Sequence, residues 1–150
     1  MLRISKLADY ATILMTVFGQ HEGASFSAVQ LAELTGISLP TVRKILTLLL
    51  QAELLTSTQG ASGGYGLTRA IQQINLAHIV EAIDGPLALT ECNDPNRQCD
   101  KHEFCGTKQH WEVINQVVKQ ALQSVNLQHM QQPTCIKPVI PLVVSQEAKK

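Results

Sequence analysis

Between Ser5 and about Gly19, apolar residues return every three or four positions: Leu7, Tyr10, Ala11, Leu14, Val17 and Phe18. A stripe at that spacing predicts an amphipathic helix with one buried face. A second, shorter helix opens at Ser27, a good N-cap, and Gln30 three residues later completes a capping box. Ala28, Leu31, Ala32 and Leu34 give it an inward face, and Gly36 suits the left-handed residue just past its end. Ser38 then caps a third helix, with Pro40 tolerated in the first turn. Its buried face is Val42, Ile45, Leu46 and Leu49, which leaves Thr41, Arg43, Lys44 and Thr47 pointing outward.

Two short helices joined by a Gly-containing turn form a helix-turn-helix pattern or an ordinary helical hairpin, and up to Leu50 the two readings stand level. The next segment separates them. Leu54 to Ser57 reads as a short strand, Gln59 to Gly66 as a glycine-dense hairpin tip, and Tyr65 to Thr68 as the returning strand. A helix-turn-helix followed by a β-hairpin is a winged helix, so the fold class is mainly α with one small hairpin. The outward Ser38, Pro40, Thr41, Arg43 and Lys44 are then candidates for base edges and phosphates of double-stranded DNA. Gly60, Gly63 and Gly64 would offer backbone N–H groups to the sugar–phosphate chain. The tip matches neither GxGxxG nor GxxxxGK[ST] and no helix follows it directly, which argues against a nucleotide site.

Asn75 caps a further helix, Leu76 to Ala82, with Leu76, Ile79, Val80 and Ile83 as its apolar face, and Asp84-Gly85-Pro86 stops it. A polar loop follows. From about Thr107 to Leu127, Trp111, Ile114, Val117, Val118, Ala121, Leu122 and Val125 make another stripe. That helix needs a partner, supplied either by its counterpart in a second chain or by the chain's own first helix. The expected division is a winged helix-turn-helix over 1–84, a cysteine loop over 85–106, a dimerisation helix over 107–127 and a weakly ordered, Pro- and Gln-rich tail over 128–150.

Composition adds limits. The 150 residues make one ordinary domain, and 12 basic against 12 acidic residues leave no net charge to attract a polyanion. Any nucleic-acid surface is therefore a local patch. The N-terminal MLRISKLADY lacks a signal-peptide core, and no apolar run reaches the roughly 18 residues of a membrane span. A cytoplasmic protein with reduced thiols and no membrane partner is expected.

Reduced thiols matter because three of the 4 cysteines, Cys92, Cys99 and Cys105, share the loop ECNDPNRQCDKHEFC. Cysteines that only pack sit singly in apolar runs. Three on one polar loop point to a soft metal or an iron–sulfur cluster. A zinc site of three cysteines with His102 or His110 is the alternative. No CxxC motif and no nucleophile–base pair stands out, so neither an enzyme nor a small-molecule substrate is expected.

The start MLRISKLADYATILM, the helix-turn-helix LAELTGISLPTVRKILTLL, the wing GASGGYGL and the cysteine loop occur in this order. Together they resemble the Rrf-two family of bacterial winged-helix regulators. The N-terminal run is most similar to the branch that controls the Suf iron–sulfur assembly operon. The likeness covers residues 1–127. It implies a homodimeric transcriptional repressor on a palindromic operator, with an iron–sulfur cluster on Cys92, Cys99 and Cys105, 2Fe-2S favoured over 4Fe-4S. A nitric-oxide-sensing or zinc-dependent repressor of the same family is the alternative function. The resemblance implies Asp9, donated by the partner subunit, as fourth ligand, with His110 next. Three departures stand out: the first cysteine gap is one residue longer than the family's, Lys108 replaces a ligand His, and Gln59 replaces an Arg before the wing glycine.

Overall fold

A computed structural model describes residues 3–60, 63–97, 99–100 and 105–131. Helix α1 spans Lys6–Gln20 and starts where the Ser5 hydroxyl accepts the Ala8 N–H at 3.0 Å. Ala8, Ala11, Leu14, Met15 and Phe18 are fully buried, while Leu7, Tyr10 and Val17 pack at the margin of the core. The buried face is thus broader than the expected stripe, because α1 is packed by helices on more than one flank.

Helix α2 (Ala28–Thr35) has the expected reciprocal capping box of Ser27 and Gln30, and Gly36 closes it at φ 69°. Leu34 differs from expectation: it is 60% exposed, whereas Leu31 is fully buried. The inward face of α2 is centred between Ala28, Leu31 and Ala32, and at 100° per residue Leu34 lies about 110° from that centre. Helix α3 (Leu39–Gln51) buries Val42, Ile45, Leu46 and Leu49 as expected. Ser38 holds the N-cap position without a side-chain cap bond; its hydroxyl pairs instead with the Thr41 hydroxyl at 2.8 Å.

Strands β1 (Leu55–Thr58) and β2 (Gly64–Leu67) form the hairpin, with Leu55 opposite Leu67 and Thr58 opposite Gly64. Phe26 adds a third rung by exchanging two backbone hydrogen bonds with Tyr65, at 3.0 and 2.9 Å. The hairpin is therefore anchored to the segment that leads into α2.

Helix α4 (Leu76–Asp84) is capped by Asn75 and buries Ala77, Ile79 and Val80. Helix α5 spans Lys108–Gln123, ending four residues before the expected Leu127, and none of its side chains is buried. Residues 124–126 instead turn the chain back, and a short α6 (Leu127–Met130) follows. The turn has a sequence cause. Ile74-Asn75-Leu76-Ala77-His78 and Val125-Asn126-Leu127-Gln128-His129 repeat one pattern, and the two copies pair as an antiparallel bridge. The Leu76 N–H donates to the Val125 carbonyl at 2.8 Å and the Leu127 N–H to the Ile74 carbonyl at 2.9 Å. In each copy the Asn caps its helix, and its own N–H donates to Nδ1 of the His three residues on.

Leu127 is consequently fully buried in the core, and the Gln131 amide donates to the Gly19 carbonyl at the end of α1. Residues 128–131 belong to the packed structure, in contrast to the flexible tail expected from 128; residues 132–150, including Cys135, lie outside the described set. Leu127→Ala should lower unfolding free energy by about 2–5 kcal/mol in chemical denaturation, the cost of emptying a closed core position. A loss below roughly 0.5 kcal/mol, the range of an ordinary surface substitution, would contradict this packing.

Candidate functional site

The second helix of the helix-turn-helix projects its polar residues away from the core because its apolar ones occupy a single stripe. Ser38, Pro40, Arg43 and Lys44 are exposed and Thr41 is half-buried. Between α3, the start of α2 and the hairpin lies a cleft of about 510 Å³, lined among others by Ser27, Arg43, Thr58, Gly60, Gly63 and Gly64. Arg43 is the one charged residue of its lining among the described residues, so the cleft favours an anion despite the neutral whole. Lys44, the next residue on α3, is exposed outside that lining.

The glycines have a steric reason. A Cβ on Gly63 would stand 2.3 Å from the Thr58 carbonyl oxygen, and one on Gly64 would stand 2.9 Å from the Phe26 backbone. Backbone atoms cannot give way as a flexible side chain does, so the hairpin closes this tightly only without side chains. The Thr58 hydroxyl spans the turn between the Gly64 N–H and carbonyl, at 3.3 and 3.4 Å.

The cysteine loop begins at Gly85, after α4. Cys92, Cys99 and Cys105 are all free thiols and all half-buried. Cys92 lies in a short 3-10 turn, Glu91–Asn93, where its Sγ is 3.0 Å from the Thr90 hydroxyl. Cys105 Sγ is 3.3 Å from the Thr107 hydroxyl. That hydroxyl, followed by the Thr107 backbone N–H, holds the Cys105 thiol below its ordinary pKa; burial opposes them, and the Lys108 N–H and ammonium add lesser downward pulls. Two of the three thiols thus have a threonine hydroxyl within contact.

Among the described residues, no three His, Cys, Asp or Glu side chains converge closely enough to hold a metal ion. Asp9 is exposed on the first turn of α1, beside a cavity of about 330 Å³ lined by Arg3, Ile4, Lys6, Asp9, Thr12 and Leu76, none of them from the cysteine loop. His110 is exposed on the first turn of α5, and His102 lies outside the described residues. The donor set still suits a soft metal or cluster: three unpaired thiols on a polar loop, one of them biased toward thiolate.

Sequence reasoning missed how this loop is fastened. The Asn115 side chain on α5 accepts the Leu89 N–H at 3.0 Å and donates to the Leu87 carbonyl at 3.1 Å. One turn further along α5, Lys119 pairs with Glu81 of α4 at 2.8 Å, with both side chains about one-third exposed or less. Three residues on, at the last position of α4, the Asp84 carboxylate accepts from the Ser5 hydroxyl at 2.6 Å and the Ser5 N–H at 3.2 Å. These pairs lie 26 or more residues apart, and no local pattern announces them.

A helix-turn-helix whose hairpin is joined to the entry of its first helix, with a longer helix set apart from both, is the architecture of a winged-helix transcriptional regulator. Residues 4–133 match the Rrf2 family, described as iron-dependent transcriptional regulators, and the chain belongs to that family. It is 33% identical over 123 residues to an HTH-type transcriptional regulator of Neisseria meningitidis, across 82% of this chain and 81% of that one. Among solved structures it is similar to the IscR of T. potens, with 28% identity, a TM-score of 0.65, and 86% and 85% of the two chains covered. It also shares the fold of CymR, the global cysteine regulator of B. subtilis, at 24% identity and TM-score 0.68 over 90% of this chain and 100% of that one. The family and these neighbours are regulators, not enzymes. Among the described residues no helix is long and apolar enough to cross a membrane.

Thr107→Val removes the hydroxyl that favours the Cys105 thiolate. The midpoint of Cys105 alkylation against pH should therefore move upward, with slower labelling at neutral pH, when metal-free protein is followed by peptide-resolved mass spectrometry. An unchanged midpoint would contradict the assignment.

Proposed function

We propose that this chain is a homodimeric repressor of Suf-type iron–sulfur assembly genes whose hold on a palindromic operator depends on an iron–sulfur cluster at Cys92, Cys99 and Cys105. The observation that carries this reading is the position of three free, half-buried thiols between the winged helix and the helix that presents an unburied apolar face. The likeness to IscR and the N-terminal run described above support it.

On DNA, α3 enters the major groove. Ser38, Pro40 and Thr41 meet base edges, and Arg43 and Lys44 meet guanines or phosphates. Gly60 presents its backbone N–H to the flanking phosphates, while the expected Gly63 and Gly64 N–H groups donate instead to the Gly60 carbonyl and the Thr58 hydroxyl and hold the tip narrow enough to approach the backbone. The second copy sits on α5, where Val113, Ile114 and Val117 share one face and are 64, 44 and 43% exposed, while Trp111 lies on the face that meets the loop. Burying a large apolar side chain yields about 1.5–3 kcal/mol. Three such side chains per chain, each about half-covered already and doubled by symmetry, yield about 4–9 kcal/mol, of the same order as the roughly 4–15 kcal/mol that association costs. Pairing also fixes the two recognition helices a helical turn of DNA apart, about 34–36 Å.

A bound cluster, 2Fe-2S favoured over 4Fe-4S, supplies iron–thiolate bonds that join three distant points of one loop and a redox state sensitive to iron supply and oxidants. Cys92, Cys99 and Cys105 are its ligands, with Asp9 of the partner subunit or His110 completing the set. Because the loop adjoins both α4 and α5, drawing the thiols together changes how the paired recognition helices are spaced.

Protein purified without oxygen should contain iron and acid-labile sulfide and absorb in the visible range, and Cys92→Ala should lose all three. Zinc in place of iron and sulfide would support a zinc-dependent repressor instead. On a duplex enriched from a random-sequence pool, Arg43→Ala should cost about 1–3 kcal/mol per half-site and flatten the salt dependence of binding. Undiminished affinity would remove α3 from the interface.

A further inference from the structure

We infer that Asn115 is a positioning residue that locks the cysteine loop to the dimer helix, so that events at Cys92 and events at the DNA face reach each other through α5. The inference rests on the proposed regulatory role of the thiols, but its test does not require a cluster.

Helix α5 holds to its own protomer chiefly through α4 and the 3-10 turn that carries Cys92. None of its side chains is buried, so apolar packing alone fixes it weakly. Asn115 supplies what packing does not. Its amide satisfies both the Leu89 N–H and the Leu87 carbonyl, as a neighbouring β-strand would, and Leu89 stands only three residues before Cys92. Two bonds in opposite directions fix the register and the orientation of the loop backbone against α5, which a single bond or a charge pair would not. From Leu89 the path continues through Thr90, whose hydroxyl touches the Cys92 sulfur and accepts from the Asn93 amide.

On the other side of α5, Val113, Ile114 and Val117 lie roughly 140° around the helix from the face formed by Asn115, Val118, Lys119 and Leu122. A displacement of the loop is therefore delivered to the opposite, dimer-forming face as a rotation or shift of the whole helix. The Lys119–Glu81 pair, one turn on, ties the same face to α4 and so to the winged helix.

Coupling of this kind is reciprocal, so DNA binding must alter Cys92 as surely as Cys92 alters DNA binding. The test uses the full chain, metal-free and reduced, with Asn115→Ala and Asn115→Asp beside the wild type. Asn115→Asp keeps an acceptor for the Leu89 N–H but sets a carboxylate against the Leu87 carbonyl, and it also serves if the alanine variant folds poorly. Amide exchange at Leu89 and alkylation of Cys92 are measured with and without a duplex enriched from a random-sequence pool.

In the wild type, DNA should change the Cys92 alkylation rate several-fold. In Asn115→Ala, exchange at Leu89 should be about ten-fold faster and the DNA effect on Cys92 should vanish, with Asn115→Asp in between. A variant with a loosened Leu89 but an intact DNA effect on Cys92 would make Asn115 a structural brace only and overturn the inference. So would a wild type whose Cys92 ignores DNA. Iron and sulfide are counted on the same preparations before stripping. Their absence would defeat the cluster reading while the thiol measurements still decide on Asn115.

Discussion

Val113, Ile114 and Val117 stand exposed on one face of α5, and no described residue covers them. The helix is held on its other face by Asn115, Lys119 and half-buried aliphatics, a mixture of directional bonds and modest packing. Among the described residues N-terminal to it, the buried core is wholly apolar, no buried side-chain nitrogen or oxygen lacks a partner, and the hairpin is pinned through Phe26. The winged helix thus closes a core of its own, whereas α5 buries none of its side chains. That asymmetry places the incomplete surface next to the loop that bears the thiols.

The return of the chain after α5 makes this arrangement possible. Had the helix run on to Leu127, its C-terminal turns would have had only their own packing to hold them. Instead the paired Asn75 and Asn126 caps bring Leu127 into the core beside α1, so the C-terminal end of the α5 segment is tethered to the winged helix. A helix fixed at its end and gripped at Asn115 moves as one body. Under the proposed function, regulation by a loop that touches it would need no large rearrangement, only a change in the angle at which two copies meet.

Much of the fold was legible in the chain because it rests on local rules. Ser27 and Gln30 state a capping box within three residues, and Val42, Ile45, Leu46 and Leu49 state a buried face within two turns. The hairpin followed from its glycines. Leu34 misled because Ala28, Leu31 and Ala32 alone did not fix how wide the inward side of an eight-residue helix is. The end of α5 misled because its stripe of apolar residues continues through Val125, while the signal to stop is the Asn-Leu-x-His pattern shared with residues 75–78. Asn115 and Asp84 were invisible for a simpler reason: each acts across 26 or more residues, and a lone polar residue carries no mark of its distant partner. The cysteines announced a soft ligand set on composition alone, yet the described residues do not bring them to one point, so the ligand set remains a proposal tied to what the loop would bind.

The mass of the full-length, reduced protein in solution tests the central claim most directly, since the whole account depends on a second copy covering α5. Sedimentation equilibrium at micromolar concentration should return about twice the chain mass of 16.4 kDa, and Ile114→Asp should return it to the single value. A wild-type protein that sediments at 16.4 kDa across that range would contradict the account, because α5 would then carry its apolar face in water with no partner to take the signal.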